Sequence, residues 1–516
     1  MKSIKTRYQI PALLAVVLSL ACTTFVQAQG MHTTARNIGL GGGGGAYMTG
    51  YHANFINPAN LMLPDRDRKV TVGLLGGFST GVGGGMANIG LYNKHFTNGD
   101  VIDLRKALEI SDEWFGSSAD AMNYLAFNVN VVPLGISYRR DNMAFSVALR
   151  SRVMTTTGLS KGLFELALTG LNSESFGQPK NVSLTNELLV TNELSFGYAM
   201  EVWRSTRDFE PGTMRVFAGV APKIMFGMGY SKVGLESTLQ VTGQDTDRRI
   251  IHDFEYYVLT IGNLTDGFDD YYQERRVRNN KDADFGDYVD DDSFSDLGGV
   301  MGTGLGFDLG ATFEWYIQDV NYPVIGSGPQ ILRASLSLVD LGSIGFDTNA
   351  GEFRAVNTFT WEGLDIDFDR INEEYEDLDD YFDYVLEDSI ASDIYGNFSP
   401  RVVSSHNVTM NPLFNLGTSL TMGKLGVMMD IGKGYNNRGI NSTRMYMALG
   451  TEYNLVNVIP IRLGVRMGGY SAASYSFGTG LNFKSFEFTL AMMGTRDSSN
   501  GGLNVMAGWS GLVFRF

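Results

Sequence analysis

The sequence predicts an all-β transmembrane antiparallel barrel of about fourteen strands, with an N-terminal hatch or plug and long acidic loops at one end. Three observations predict it. No stretch of 18 or more apolar residues follows the first 30 positions, yet the chain is 44% apolar and 12% aromatic, with 63 glycines and 12 prolines among 516 residues. Many segments alternate a large apolar residue with a small or polar one, the signature of a wall with lipid on one side and a polar lumen on the other. The connections between these segments also alternate, short then long, as barrel turns and outer loops do.

In chain order, residues 1–28 read as a secretory signal. Lys2, Lys5 and Arg7 precede a short apolar core from Pro11 to Ala21, and Val26-Gln-Ala28 offers small residues at the cleavage positions. Cys22, the single cysteine, lies inside this segment, so the mature chain is expected to carry neither disulfide nor thiolate metal site. Residues 29–68 are too glycine-rich and irregular for wall and read as the hatch. Within it stands Asn57-Pro58-Ala59-Asn60, where Pro58 holds Asn57 extended and the amides can bond backbone that has no strand partner.

Residues 69–516 form the expected barrel, with 69–92 taken as a long or broken first strand. Leu305, Phe307, Leu309 and Phe313 alternate with Gly306, Asp308, Gly310 and Thr312; Ile461, Leu463, Val465 and Met467 alternate with Arg462, Gly464, Arg466 and Gly468. A soluble sandwich would place Lys, Glu and Thr on its polar face. Here that face carries Gly, Ser, Ala and isolated charges, which suits a crowded lumen. The short connections fall near 139–142, 202–213, 319–328, 422–424, 456–460 and 484–486. The longer ones fall near 93–122, 157–182, 231–300, 344–400, 434–442, 470–474 and 496–502.

The formal charge of −16 is concentrated in two outer loops, 231–300 and 344–400. Residues 245–296 carry a net −9 and residues 362–393 a net −13, so the remainder of the chain is positive by about 6. Ile371, Tyr375, Leu378, Phe382 and Val385 recur at helical spacing, which predicts an amphipathic acidic helix; a second short helix is expected over Lys161–Gly170. Asp282, Asp284 and Asp287 form a weak calcium candidate, without a bidentate Glu to close a twelve-residue loop. No other metal site and no cofactor is expected.

Arg150, Asp308, Glu314, Arg333, Arg462, Arg466 and Glu487 fall on lumen faces, with Asp430 and Glu452. They form either a salt-bridged interior that holds the hatch or a polar track for an amphipathic solute. The chain ends Gly-Leu512-Val-Phe514-Arg-Phe516, which resembles the C-terminal signal that barrel proteins present to the barrel-assembly machinery. Ser510 and Gly508, next in the alternation, depart from that pattern.

Two motifs are weighed and set aside. Gly39-Leu-Gly41-Gly-Gly-Gly44 has the spacing of a dinucleotide fingerprint, but no strand precedes it and no βαβ unit follows. Gly77-Phe-Ser79-Thr-Gly81 has nucleophile-elbow spacing without the strand-to-helix turn, the histidine or the acid that the chemistry needs. The chain is therefore not expected to be an enzyme, and nothing in it points to nucleic acid.

Ala35-Arg-Asn-Ile-Gly-Leu-Gly-Gly-Gly-Gly-Gly-Ala-Tyr47, followed by Asn57-Pro-Ala-Asn-Leu61, resembles the amino-terminal segment of the FadL/TodX-like outer-membrane transporters. Ser337-Leu-Val-Asp-Leu-Gly-Ser-Ile344 and the acidic loops resemble FadL-like barrels of the Bacteroidota, which also look like the shuttle barrel of type IX secretion. The resemblance implies a Gram-negative outer-membrane protein whose hatch includes Asn57, Pro58 and Ala59. It further implies passive uptake or binding of hydrophobic or amphipathic small molecules such as fatty acids, with outer-membrane lipid around the wall. The second reading is a non-transporting barrel that docks exported or surface proteins through its loops.

Overall fold

The structure, a computed structural model, describes residues 34–516 except 66, 100, 207, 244–248, 279, 281–282, 284–286, 289–298, 362–398, 440, 470 and 496–501. Fourteen antiparallel strands close into a barrel. They are β1 (Val70–Gly84), β2 (Met122–Arg140), β3 (Met143–Ser160), β4 (Leu184–Arg204), β5 (Met214–Thr242), β6 (Gly302–Tyr322) and β7 (Gly326–Phe346). The second half comprises β8 (Leu413–Met422), β9 (Leu425–Gly434), β10 (Met445–Leu455), β11 (Ile459–Gly468), β12 (Ser471–Asn482), β13 (Phe486–Thr495) and β14 (Leu503–Arg515). Each pairs with the next, and β14 returns to β1 with Phe514 opposite Val72, so no edge is left.

Burial alternates along each strand. Phe145, Val147 and Leu149 on β3, Leu305, Phe307 and Leu309 on β6, and Leu463 and Met467 on β11 are exposed on the outer face, while their neighbours point into a packed lumen. Exposed large apolar groups round a whole closed wall are what a bilayer, not water, accommodates. Among the described residues no helix is long and apolar enough to cross a membrane.

The expected parity of connections holds with one exception: the short turns lie at one end with both ends of the wall and the long loops at the other, but the connection expected at 470–474 is a tight turn, since β11 ends at Gly468 and β12 begins at Ser471 at the long-loop end. Four further sequence readings need correction. The first strand stops at Gly84 rather than near 92, and helices Ile89–Phe96 and Leu104–Phe115 follow in the loop, each capped by a polar side chain, Asn88 and Asp103. The loop expected at 231–300 begins as wall: β5 runs unbroken to Thr242 and pairs with a further strand, Arg249–Thr260. That strand pairs with Gly351–Trp361, which pairs with Ser399–Val402, so part of the 344–400 loop is sheet standing above the barrel. The fourth concerns the C-terminus. The register slips opposite Glu487/Thr489, so Trp509, Ala507 and Val505 face outward in place of Ser510 and Gly508, in line with Leu512, Phe514 and Phe516.

The helix expected near Lys161–Gly170 is present as Lys161–Thr169. The signal, the acidic helix over 371–385, Asp282 and Asp284 lie outside the described residues.

Candidate functional site

The hatch fills the short-turn half of the lumen. Its backbone follows a belt of inward-facing glycines, including Gly135, Gly197, Gly219, Gly310, Gly450 and Gly464, at each of which an added Cβ would meet hatch atoms. Small residues on the lumen face are thus the seat of the hatch. Gly39-to-Gly44 is no nucleotide loop. Gly41, Gly42 and Gly44 take left-handed φ values of 73°, 78° and 101°, which turns successive N–H groups to one side. Gly44 N and Gly45 N donate to the Asp430 carboxylate at 2.7 and 2.8 Å, and Asn415 Nδ2 donates to it at 3.0 Å.

Asn57, Pro58, Ala59 and Asn60 are all buried at the middle of this seat. Asn57 is extended (φ −160°, ψ 99°) before Pro58, and its Oδ1 accepts from Ala59 N at 3.1 Å, capping the 3-10 turn Pro58–Met62. Its Nδ2 donates to Thr312 Oγ1 at 2.9 Å, and Thr312 in turn donates to Asn60 Oδ1 at 2.7 Å. Asn60 Nδ2 donates to Gly45 O at 2.8 Å, tying this motif to the glycine run. The motif is a junction between hatch and wall.

Above the hatch lies a layer of buried charge. Arg150 Nη2 is 2.6 Å from Glu193 and 2.7 Å from Asp340; Arg152 Nη1 is 2.8 Å from Asp340 and also pairs with Glu193. Lys223 Nζ is 2.6 Å from Asp340 and 2.9 Å from Asp308. Three cations meet three carboxylates, and the Arg150 guanidinium lies 4.3 Å from the Phe55 ring centre of the hatch. Arg150 and Asp308 were legible as lumen residues; Arg152, Glu193, Lys223 and Asp340 were missed. Arg152 sits two places after Arg150 on the same face, a signal that was available. Asp340 was hidden by a bulge: Phe307 pairs with Leu341 but Leu309 with Leu338, and Asp340 adopts φ 58°, which shifts the inward set by one residue.

The other lumen residues fall into separate groups. Glu314 holds Arg333 at 2.8 Å and pairs with Arg215. Arg462 lies 2.6 Å from Glu452, which also accepts from Tyr47 of the hatch at 2.7 Å; burial and that carboxylate push the Tyr47 phenol up to about 12. Glu487 pairs with Arg515, whose Nε lies 2.8 Å from Asp65 at the end of the hatch. This last group lines a small cavity together with Arg36, Tyr51 and His52. Arg466 stacks over Tyr446 at 4.3 Å. Asp287 belongs to no cluster: among the described residues no group of three metal-ligating side chains occurs.

Toward the long-loop end the inward positions become apolar. On β3 they read Arg150, Arg152, Met154; on β4, Glu193, Thr191, Leu189; on β5, Lys223 then Met225. Met154, Leu189, Met225, Ile344, Phe346 and Met410 are buried together there, packed with Met301 and Val408.

The model of a family of unknown function, DUF5723, matches residues 58–492, from the hatch motif into β13. The chain belongs to this DUF5723 family. No curated protein matches the sequence. The P. putida toluene transporter TodX is similar at 12% identity, over 94% of this chain and 98% of that one, with a TM-score of 0.40. A Pseudomonas aeruginosa FadL homologue is similar at 9% identity over 96% and 100% of the two chains, with a TM-score of 0.23. The monoaromatic hydrocarbon channel CymD follows at 11% identity over 94% and 97%, with a TM-score of 0.24. All three scores lie below 0.5, a likeness too distant to assign a substrate.

Proposed function

We propose that this DUF5723 protein is an outer-membrane barrel that binds hydrophobic or amphipathic small molecules in its lumen and passes them inward without energy coupling. Its outward apolar band would sit in lipid, its short turns in the periplasm, and Leu512, Phe514 and Phe516 would serve as the signal to the assembly machinery. One observation carries the reading: within one or two inward positions, three adjacent strands change from a compensated charge layer to Met154, Leu189 and Met225, which pack with Ile344 and Phe346 of β7. A water-filled pore has no use for such an apolar layer, whereas an alkyl or aryl group admitted among these side chains would turn it into a binding chamber. The methionines are unbranched and polarizable, so they can repack round ligands of different shape.

Saturable binding of a fluorescent alkyl probe to the purified barrel in lipid discs tests this. Met225→Gln and Met410→Gln are expected to weaken binding about tenfold or more; absence of saturable binding by the unaltered protein would overturn it. A second reading, docking of exported or surface proteins, is favoured by the sheet above the barrel formed by the end of β5 with Arg249–Thr260, Gly351–Trp361 and Ser399–Val402. Exported protein that co-purifies with the barrel and is lost when 351–402 is deleted would support it.

A further inference from the structure

The connection between β9 and β10, described at 435–439 and 441–444, does not extend away from the barrel. It turns inward and reaches strands β3 and β4 on the far side of the lumen. Its base is closed by Gly434 N donating to Ser442 O at 2.9 Å, and it is braced on the lead into β8 by Asn436 Nδ2 donating to Met410 O at 2.8 Å. At its tip Gly439 N donates to Thr156 Oγ1 at 2.6 Å, and Arg438 Nη2 lies 2.7 Å from Glu187. Thr156 and Glu187 are direct cross-strand partners, and Glu187 also accepts from Tyr230 of β5.

The register fixes what lies beneath. From the hatch outward, the β3–β4 pairs are Arg150 with Glu193, Arg152 with Thr191, Met154 with Leu189, then Thr156 with Glu187. The tip of the connection therefore rests one layer above the apolar cluster that would open into the binding chamber. Asn411, beside the same connection, bonds both Arg438 O at 3.1 Å and Met154 Sδ at 3.2 Å. The cluster is roofed by a strap that two polar contacts hold to the opposite wall.

We propose that the Arg438–Glu187 pair is the latch of this strap and that its release controls access from outside to the methionine chamber. The proposal takes the chamber as the binding site, and so rests on the reading above, but its test does not require transport. A latch suits such a contact better than a permanent brace. The two side chains remain 13% and 18% exposed, so water can replace each partner at modest cost, unlike Arg150, Glu193, Lys223 and Asp308 of the charge layer below, which are exposed by 2% or less.

The chain has no cysteine beyond Cys22, so introduced thiols report cleanly. Met225→Cys places one in the closed chamber, and its reaction with a membrane-impermeant maleimide added outside reads opening. Adding Arg438→Gln or Glu187→Gln is expected to speed labelling about tenfold, and the reversed pair Arg438→Glu with Glu187→Arg to slow it again. As a lock, Met154→Cys with Gly439→Cys brings the two sulfurs within reach: a Cβ at Gly439 would lie 3.2 Å from that of Met154, slightly inside the usual disulfide spacing of about 3.5–4.5 Å, and the left-handed φ of 57° at Gly439 adds strain that the tip has to absorb. Oxidation of this pair is expected to stop probe entering the chamber, and reduction to restore it. Labelling unchanged in both latch variants overturns the proposal, as does equal probe entry in the oxidised and reduced lock. Should the latch variants fail to fold, the lock alone decides. Faster labelling in a barrel that binds no alkyl probe keeps the latch and removes the uptake reading.

Discussion

Gly219 of β5 and Gly310 of β6 are direct cross-strand partners; the Pro58–Ala59 backbone lies over the first, and the Asn57 side chain and Pro58 ring over the second. A Cβ at Gly219 would fall 2.7 Å from Ala59 Cα, and one at Gly310 would fall 3.0 Å from Pro58 Cδ. Because this motif is also bonded to Thr312 of the wall and to the glycine run elsewhere in the hatch, it cannot yield sideways. Gly310→Val is expected to cost about 2–4 kcal/mol, from overpacking and the loss of the Asn57 bonds. The temperature at which the folded species converts on a heat-modifiability gel should fall, and single-channel leak should rise; unchanged behaviour in both would refute the seat.

Asp430 satisfies two backbone donors of the glycine run. Asp430→Ala leaves both N–H groups buried without an acceptor and should destabilise by about 2–4 kcal/mol, whereas Asp430→Asn retains one acceptor oxygen and should cost less. Denaturant titration of the two variants checks the order; equal losses would mean that the carboxylate is not the hub of this turn.

The charge layer is balanced, so removing one member should cost more than removing a matched pair. Lys223→Met is expected to lose about 3–5 kcal/mol, because Asp308 and Asp340 are left beside an uncompensated site. Lys223→Met combined with Asp308→Asn should recover part of that loss. A double-mutant cycle on unfolding free energy measures the coupling, and simple additivity would show that the two residues act separately.

His52 of the hatch is held down to about 4 by burial, against the ordinary 6.5, despite the nearby Glu487 and Asp65 carboxylates. The folded hatch therefore binds fewer protons than the unfolded chain between these values. Stability should be unaffected above about pH 6.5, decline as pH falls toward 4, and change no further through this group below that. The difference in unfolding temperature between the unaltered protein and His52→Gln, followed from pH 7.5 to 4, isolates it; a pH-independent difference would contradict the assignment.

The wall was legible because period-two alternation depends on nothing but the pleat and the two solvents beside it. Leu305–Phe313 and Ile461–Met467 state their faces outright. Where a bulge intervenes, alternation misleads: it hid Asp340 from the charge layer and placed Ser510 where Trp509 stands. The first strand was drawn too long because the helices after Gly84 carry polar caps but little strand-like contrast. The loops at 231–300 and 344–400 concealed sheet, since strands above a membrane need no lipid-facing residues. As for the candidate site, the sequence located the hatch motif and several lumen charges. It could not show which charges meet, nor that an outer connection folds back across the lumen, because both depend on contacts between different strands, from ten positions apart for Glu452 with Arg462 to 251 for Glu187 with Arg438.

Arg515, in the last strand, reaches both Glu487 of the preceding strand and Asp65, which stands just before the first. The two ends of the wall thus fasten to each other through one guanidinium, like a clasp. This bears on assembly. The hatch precedes the wall along the chain, and Arg515 stands on the strand that closes the barrel against β1. A barrel that zipped shut before its plug was seated would confine that cation with only one of its two carboxylates. Completion of the clasp therefore reports, at the moment of closure, that the interior is already filled.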